Sequence, residues 1–109
     1  MLDQTTEVNL LYDFYGVLLT AKQQKLLELY YQEDWSLSEI AEHQEVSRQA
    51  IFEAIKRAQV VLSDYEAKLG LLAKYRERQA KIQQLQDLLK DIEKPSEVET
   101  ILTHLLELD

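Results

Sequence analysis

Apolar residues recur along this chain at helical spacing, and short polar breaks divide them into successive segments. Val8, Leu11, Tyr12 and Tyr15 fall on one face, with Leu10 and Phe14 beside them. This predicts a largely buried first helix, capped at Thr5 or Thr6 and closing near Gly16, a residue suited to a helix C′ position. The next segment, TAKQQKLLELYY, places a cap at Thr20, with Gln23 three residues on as in a capping box. Its apolar positions are Leu26, Leu27, Leu29, Tyr30 and Tyr31. The pattern gives way at Gln32, Glu33 and Asp34, and Trp35 is placed to close the core.

Residues 36 to 57, SLSEIAEHQEVSRQAIFEAIKR, carry the most specific pattern. Ser36 and Glu39 form a second capping box ahead of a short helix whose apolar face is Leu37, Ile40 and Ala41. A turn over His43 to Val46 follows, and Ser47 can cap another helix with Ile51 and Ile55 inward. Two short amphipathic helices joined by a tight turn form a helix-turn-helix. Ala41 and Ala50 supply small residues for the crossing, Val46 is expected to plug the turn into the core, and Leu26 and Leu29 to floor it. Arg48, Gln49, Phe52, Glu53, Lys56 and Arg57 then point outward, where a recognition helix would meet nucleic acid.

The helix from Ser47 has no stop signal before Gly70, where a break is expected. From Leu62 onward the spacing tightens toward a heptad through Leu62, Tyr65, Leu69, Leu72, Tyr75, Gln79, Ile82, Leu85, Leu89 and Ile92. This resembles a coiled-coil seam, irregular at Tyr75 and polar at Gln79. Pro95 ends it, because the residue before a proline is pushed out of the helical region. A last amphipathic helix starts at Pro95 or Ser96 and carries Val98, Ile101, Leu102, Leu105 and Leu108. The fold class is therefore all-α: a helix-turn-helix domain over residues 1–70 and a helical arm over 71–109. Leu72, Ile82, Leu85 and Leu89 are the residues expected between subunits of a homodimer. The arm could instead fold back on its own domain, and the pattern leaves a parallel or antiparallel dimer open.

Composition agrees with helices, since there are only two Gly and one Pro, and 46% apolar residues suffice for a core. The absence of Cys excludes a disulfide framework, a thiol nucleophile and a thiolate zinc site, and fits a cytoplasmic protein. No signal peptide is read at MLDQTTEVN, and no apolar run approaches the ~20 residues a membrane helix needs, so no membrane insertion is expected. His43 and His104 are far apart in sequence; Glu39 and His43 could in principle share a metal, but a solvated turn histidine is the plainer reading. No phosphate loop or nucleophile motif occurs, so neither an enzyme, a cofactor nor a metal is expected.

The net charge of −8 runs against a protein that holds DNA through phosphates. Its distribution changes that picture: residues 1–46 carry −7, residues 47–70 carry +1 and residues 71–109 carry −2. The one segment that is not net acidic contains the outward-facing helix. Arg48 can donate two bonds to a guanine, Gln49 can pair with an adenine edge, and Glu53 can accept from cytosine. Lys56, Arg57 and the Ser47 hydroxyl suit phosphates, and Phe52 suits a thymine methyl. The plainer alternative is a solvated helix face with Glu53 and Arg57 as an i, i+4 pair, in which an exposed Phe52 marks a protein contact.

The block NLLYDFYGVLLTAKQQKLLELYY at 9–31, the segment DWSLSEIAEHQEVSRQAIFEAIKRAQVVLSDYEAKLGLL at 34–72 and the helical tail together resemble the YlxM family of small helix-turn-helix proteins of Gram-positive bacteria. The helix-turn-helix itself is similar to region 4 of bacterial sigma factors. The resemblance covers nearly the whole chain, and the block from Leu10 to Thr20 is distinctive because generic sigma region 4 modules lack it. It implies an all-α fold with a sigma-region-4-like core, a homodimer, and a regulatory role linked by gene neighbourhood to the signal recognition particle pathway. It brings no catalytic residues. The positions matching the base-reading residues of sigma region 4 are Arg48, Gln49, Phe52 and Glu53, and the chain departs from the usual basic pattern with Phe52 and Ala54. Two expectations follow: a DNA-binding regulator, or a protein or ribonucleoprotein interaction module, docking on signal recognition particle components, that reuses the fold without reading DNA.

Overall fold

Side-chain caps at Thr20, Ser36 and Ser47 set where three of the helices begin in the computed structural model, which describes residues 3–108. All of the regular structure among these residues is helical, and the chain divides at Gly70 into two compact units. Helix α1 spans Asp3–Tyr15. It starts ahead of Thr5 and Thr6, so the cap expected at those threonines is displaced; helix-compatible residues continue upstream of them. Val8, Leu11 and Tyr15 are buried as the pattern requires, and Tyr12 is half-buried.

Gly16 does not act as a left-handed C′ residue, because Gly70 is the described glycine with positive φ. The chain passes instead into a 3-10 turn at Gly16–Leu18. Space is what demands glycine there, since a Cβ would stand 3.0 Å from the Tyr12 ring. The Gly16 carbonyl also accepts from Gln24 Nε2 at 2.7 Å.

Helix α2, Ala21–Leu27, opens on the expected reciprocal box: Gln23 N–H donates to Thr20 Oγ1, and Thr20 N–H to Gln23 Oε1, both at 3.1 Å. It runs into a π-helical turn at Glu28–Gln32, closed by Glu33 N–H donating to the Glu28 carbonyl. Helix α3, Leu37–Gln44, opens on the second box, with Ser36 and Glu39 joined at 2.7 and 3.0 Å. Helix α4 is the long element, Arg48–Leu69, capped by Ser47. It packs against α1, α2 and α3. Its inward residues Ile51, Ile55, Ala58 and Leu62 are at most 4% exposed and meet a core that includes Leu26, Leu27, Leu29 and Ile40. Removing an Ile or Leu side chain of this set from water contributes about 1.5–3 kcal/mol. Tyrosine hydroxyls donate to carboxylates across the same unit: Tyr12 to Glu28 and Tyr15 to Glu66, each at 2.6 Å.

At Gly70 the backbone turns left-handed, φ 63°, and its N–H closes α4 on the Glu66 carbonyl at 2.8 Å. The heptad-like run is therefore carried by two helices, with the break where the glycine predicts it. Helices α5, Leu71–Leu89, and α6, Ser96–Glu107, form an antiparallel hairpin. Gln79 Nε2 donates to the Leu106 carbonyl at 3.3 Å. Lys94, in the connection, donates from Nζ to the Leu89 carbonyl at 2.9 Å and pairs with Glu99 at 3.2 Å, tying the end of α5 to the first turn of α6. Of the four residues expected between subunits, Leu72 and Ile82 are buried within the single chain, Leu89 is half-buried and Leu85 is exposed. Ile92 lies past the end of α5 rather than on its seam. Among the described residues no helix is long and apolar enough to cross a membrane.

Candidate nucleic-acid interface

The turn between α3 and α4 is closed by backbone bonds. Glu45 is left-handed, φ 55°. Its N–H donates to the Glu42 carbonyl at 3.3 Å, and Val46 N–H donates to the Ala41 carbonyl at 3.0 Å. This is a Schellman closure, with Glu45 where a glycine would be less strained. Two expectations are corrected here. Val46 does not plug the core; it is 47% exposed, because its amide rather than its side chain makes the closure. Ala50 is exposed in the first turn of α4, with its N–H donating to Ser47 Oγ at 3.0 Å, so it is not a crossing residue; Ala41 is buried as expected.

Beyond the turn, Arg48, Gln49, Phe52, Glu53, Lys56 and Arg57 are all exposed. They form two adjacent rows along α4, 48-52-56 and 49-53-57, because side chains four apart stack on one helix face. Lys56 Nζ sits 5.4 Å from the centroid of the Phe52 ring, a cation–π contact. Ser47 Oγ accepts the cap bond, and its hydroxyl hydrogen remains able to donate to an oxyanion. The face thus presents three cations, one amide, one hydroxyl and one aromatic ring against one carboxylate.

Features beside this face were not read from the sequence. A hollow of about 260 Å³ lies next to Phe52, lined by Tyr30, Tyr31, Leu37, Phe52, Ile55, Lys56 and Gln59. Gln59 Nε2 donates to the Tyr31 hydroxyl across it. Burial, partly offset by that bond, raises the Tyr31 phenol above its ordinary range. The π-helical turn brings consecutive tyrosines here, and apolar periodicity alone carries no signal for such a turn. His43 meets the Trp35 ring edge-on at 5.4 Å, and Trp35 is only half-buried, short of the closing role expected of it. On the outer side of α4, a shallow depression of about 550 Å³ is lined by Gln23, Glu53, Lys56, Arg57, Val60 and Val61. No group of three or more metal-ligating side chains occurs among the described residues.

Comparison with known proteins agrees with this geometry. A family described as "Putative helix-turn-helix protein, YlxM / p13 like" matches residues 2–102. A UPF0122 protein of Bacillus pumilus is 44% identical over 108 residues, covering 99% of this chain and 98% of its own. The UPF0122 protein YlxM of Bacillus subtilis is likewise 44% identical over 108 residues, with the same coverage. A UPF0122 protein of Geobacillus kaustophilus is 52% identical over 89 residues, covering 82% of this chain and 81% of its own.

Proposed function

The chain belongs to the YlxM / p13-like family of helix-turn-helix proteins, and from that premise we propose that it is a DNA-binding regulator whose recognition helix is the first half of α4. The observation that carries this reading is the Ser47-capped start of α4, which holds Arg48, Gln49, Lys56 and Arg57 exposed on one side of a tightly closed turn. In this reading Arg48 and Gln49 contact base edges, with Phe52 and Glu53 adjoining. Lys56, Arg57 and the Ser47 hydroxyl hold phosphates. Two half-sites would be read by two copies of the chain. In this reading the regulated process belongs to the signal recognition particle pathway.

The test is a titration against fragmented genomic DNA at two salt concentrations, followed by sequencing of the retained pool. A sequence-enriched pool is expected. Arg48→Ala should weaken its binding by about 1–3 kcal/mol and relax the preference at one position. Lys56→Ala should weaken binding to all sequences and lower the salt slope by about one phosphate contact. No retention even at low salt would overturn the proposal.

A second reading is favoured by one specific observation: Phe52 is 41% exposed at the rim of the tyrosine-lined hollow. An exposed aromatic beside a concave surface of mixed polar and apolar lining is an anchor point for a protein. Under this reading α4 docks on a protein or ribonucleoprotein component of the targeting machinery. Phe52→Ala would then abolish that association in a pull-down, while DNA retention would be absent in the native protein.

A further inference from the structure

Three aromatic side chains and a carboxylate meet where the π-helical turn gives way to α3. Tyr30, Tyr31, Asp34 and Trp35 line a hollow of about 280 Å³. It is distinct from the hollow beside Phe52, although Tyr30 and Tyr31 wall both. The two tyrosine rings stand 84° apart in plane with centroids 4.9 Å apart, so they form a corner rather than a flat stack. All three aromatic side chains are half-buried, and each keeps part of its surface in water. The fold holds these groups in place without a guest. The Tyr31 hydroxyl accepts from Gln59 Nε2 on α4. Trp35 N–H donates to the Leu29 carbonyl at 3.0 Å, and the Trp35 ring is braced by His43, edge-on at 5.4 Å. Between the two aromatic pieces Asp34 is left-handed, φ 55°. That conformation is costly for a residue other than glycine, and such outliers collect at ligand clamps. Here it turns the chain so that Asp34 and Trp35 join the two tyrosines around one hollow.

Electrostatics selects the guest. The faces of aromatic rings are negative, and Trp and Tyr attract cations set over them. Asp34 adds a full negative charge at the rim, and Glu33 is exposed next to it. Residues 1–46 together carry −7, so the wider field also favours a cation. Lys56 sits over Phe52 in the neighbouring hollow. The geometry points to a binding site for an organic cation of the quaternary ammonium class, its alkyl groups against Tyr30, Tyr31 and Trp35 and its charge balanced by Asp34. A hard metal ion does not suit these walls, because one carboxylate supplies too few oxygen ligands. A primary ammonium suits them less well, since it is strongly hydrated and ring faces do not replace the acceptors it gives up. The site requires no nucleic acid, so it stands or falls apart from the reading of α4.

The test is a nuclear magnetic resonance titration of the isotope-labelled full chain with tetramethylammonium and with choline, at constant ionic strength. Saturable shifts are expected at the amides of Tyr30, Tyr31, Asp34 and Trp35, with half-saturation in the millimolar range. The uncharged carbon isostere of choline, in which a tert-butyl group replaces trimethylammonium, should bind more weakly. Asp34→Asn keeps a residue that tolerates left-handed backbone and removes only the charge. It should weaken choline binding by about two- to fivefold, as loss of an exposed charge pair does. Tyr30→Leu removes one wall and should weaken it by about three- to tenfold. Circular dichroism verifies that this variant stays helical; if it unfolds, Asp34→Asn decides alone. Shifts that scatter without saturating, or an isostere that binds as tightly as choline, overturn the site. So does Asp34→Asn binding like the wild type. An arginine amide that binds more tightly than choline overturns the quaternary ammonium assignment.

Discussion

Tyr12 shows how much one side chain can be asked to do. Its ring fills the space that Gly16 leaves open, and its hydroxyl donates to Glu28. Burial, and then the bond to and charge of Glu28, push the phenol from 10.0 up to about 12. A raised pKa means that the folded state holds the proton more tightly than the unfolded state does. Stability from this group is therefore complete below pH 10 and is lost as pH rises from 10 towards 12, where the unfolded state ionises first. Thermal unfolding of the wild type and Tyr12→Phe at pH 9 and pH 11 tests this: the advantage of the wild type at the lower pH should shrink at the higher one. An undiminished advantage would show that the hydroxyl is not protected. That tyrosine was legible only as an apolar position, because its partner lies sixteen residues away on another helix. Val46 and Ala50 were misread for a related reason. Their roles are played by backbone amides, and side-chain hydrophobicity says nothing about those.

Helix starts were the best-written part of the sequence. Thr20, Ser36 and Ser47 each cap a helix, since a hydroxyl accepting a backbone N–H is a local rule with few competitors. The π-helical turn at Glu28–Gln32 had no such signature, because the extra residue in that turn is accommodated by packing around α2 and α3. Gly70 was legible as a break and is one: its left-handed backbone stops α4, and nothing lies within 4 Å of where a Cβ would go. The cost of a side chain there is conformational alone. Gly70→Ala should lower stability by about 1 kcal/mol, read from the midpoint of urea unfolding. A stabilised variant would mean that α4 and α5 prefer to run on as one helix.

Acidity is the property of the whole molecule that bears most on the proposed function. The −8 charge slows non-specific association with nucleic acid and leaves the cationic stretch of α4 to act at short range. Glu42 and Glu45 lie exposed at the turn preceding that stretch, where they would face an approaching phosphate backbone. Glu42→Gln with Glu45→Gln should raise affinity for arbitrary DNA at low salt while leaving the ranking of selected sites in place; electrophoretic mobility shift with mixed-sequence competitor measures both. Unchanged affinity would place these carboxylates away from the path of the DNA. One aromatic contact also has a use beyond packing. Trp35 is the single tryptophan, held edge-on against His43 at the corner between the π-helical turn and α3. Intrinsic indole emission from this protein is thus a spectroscopic window on one place. It reports events at the helix-turn-helix.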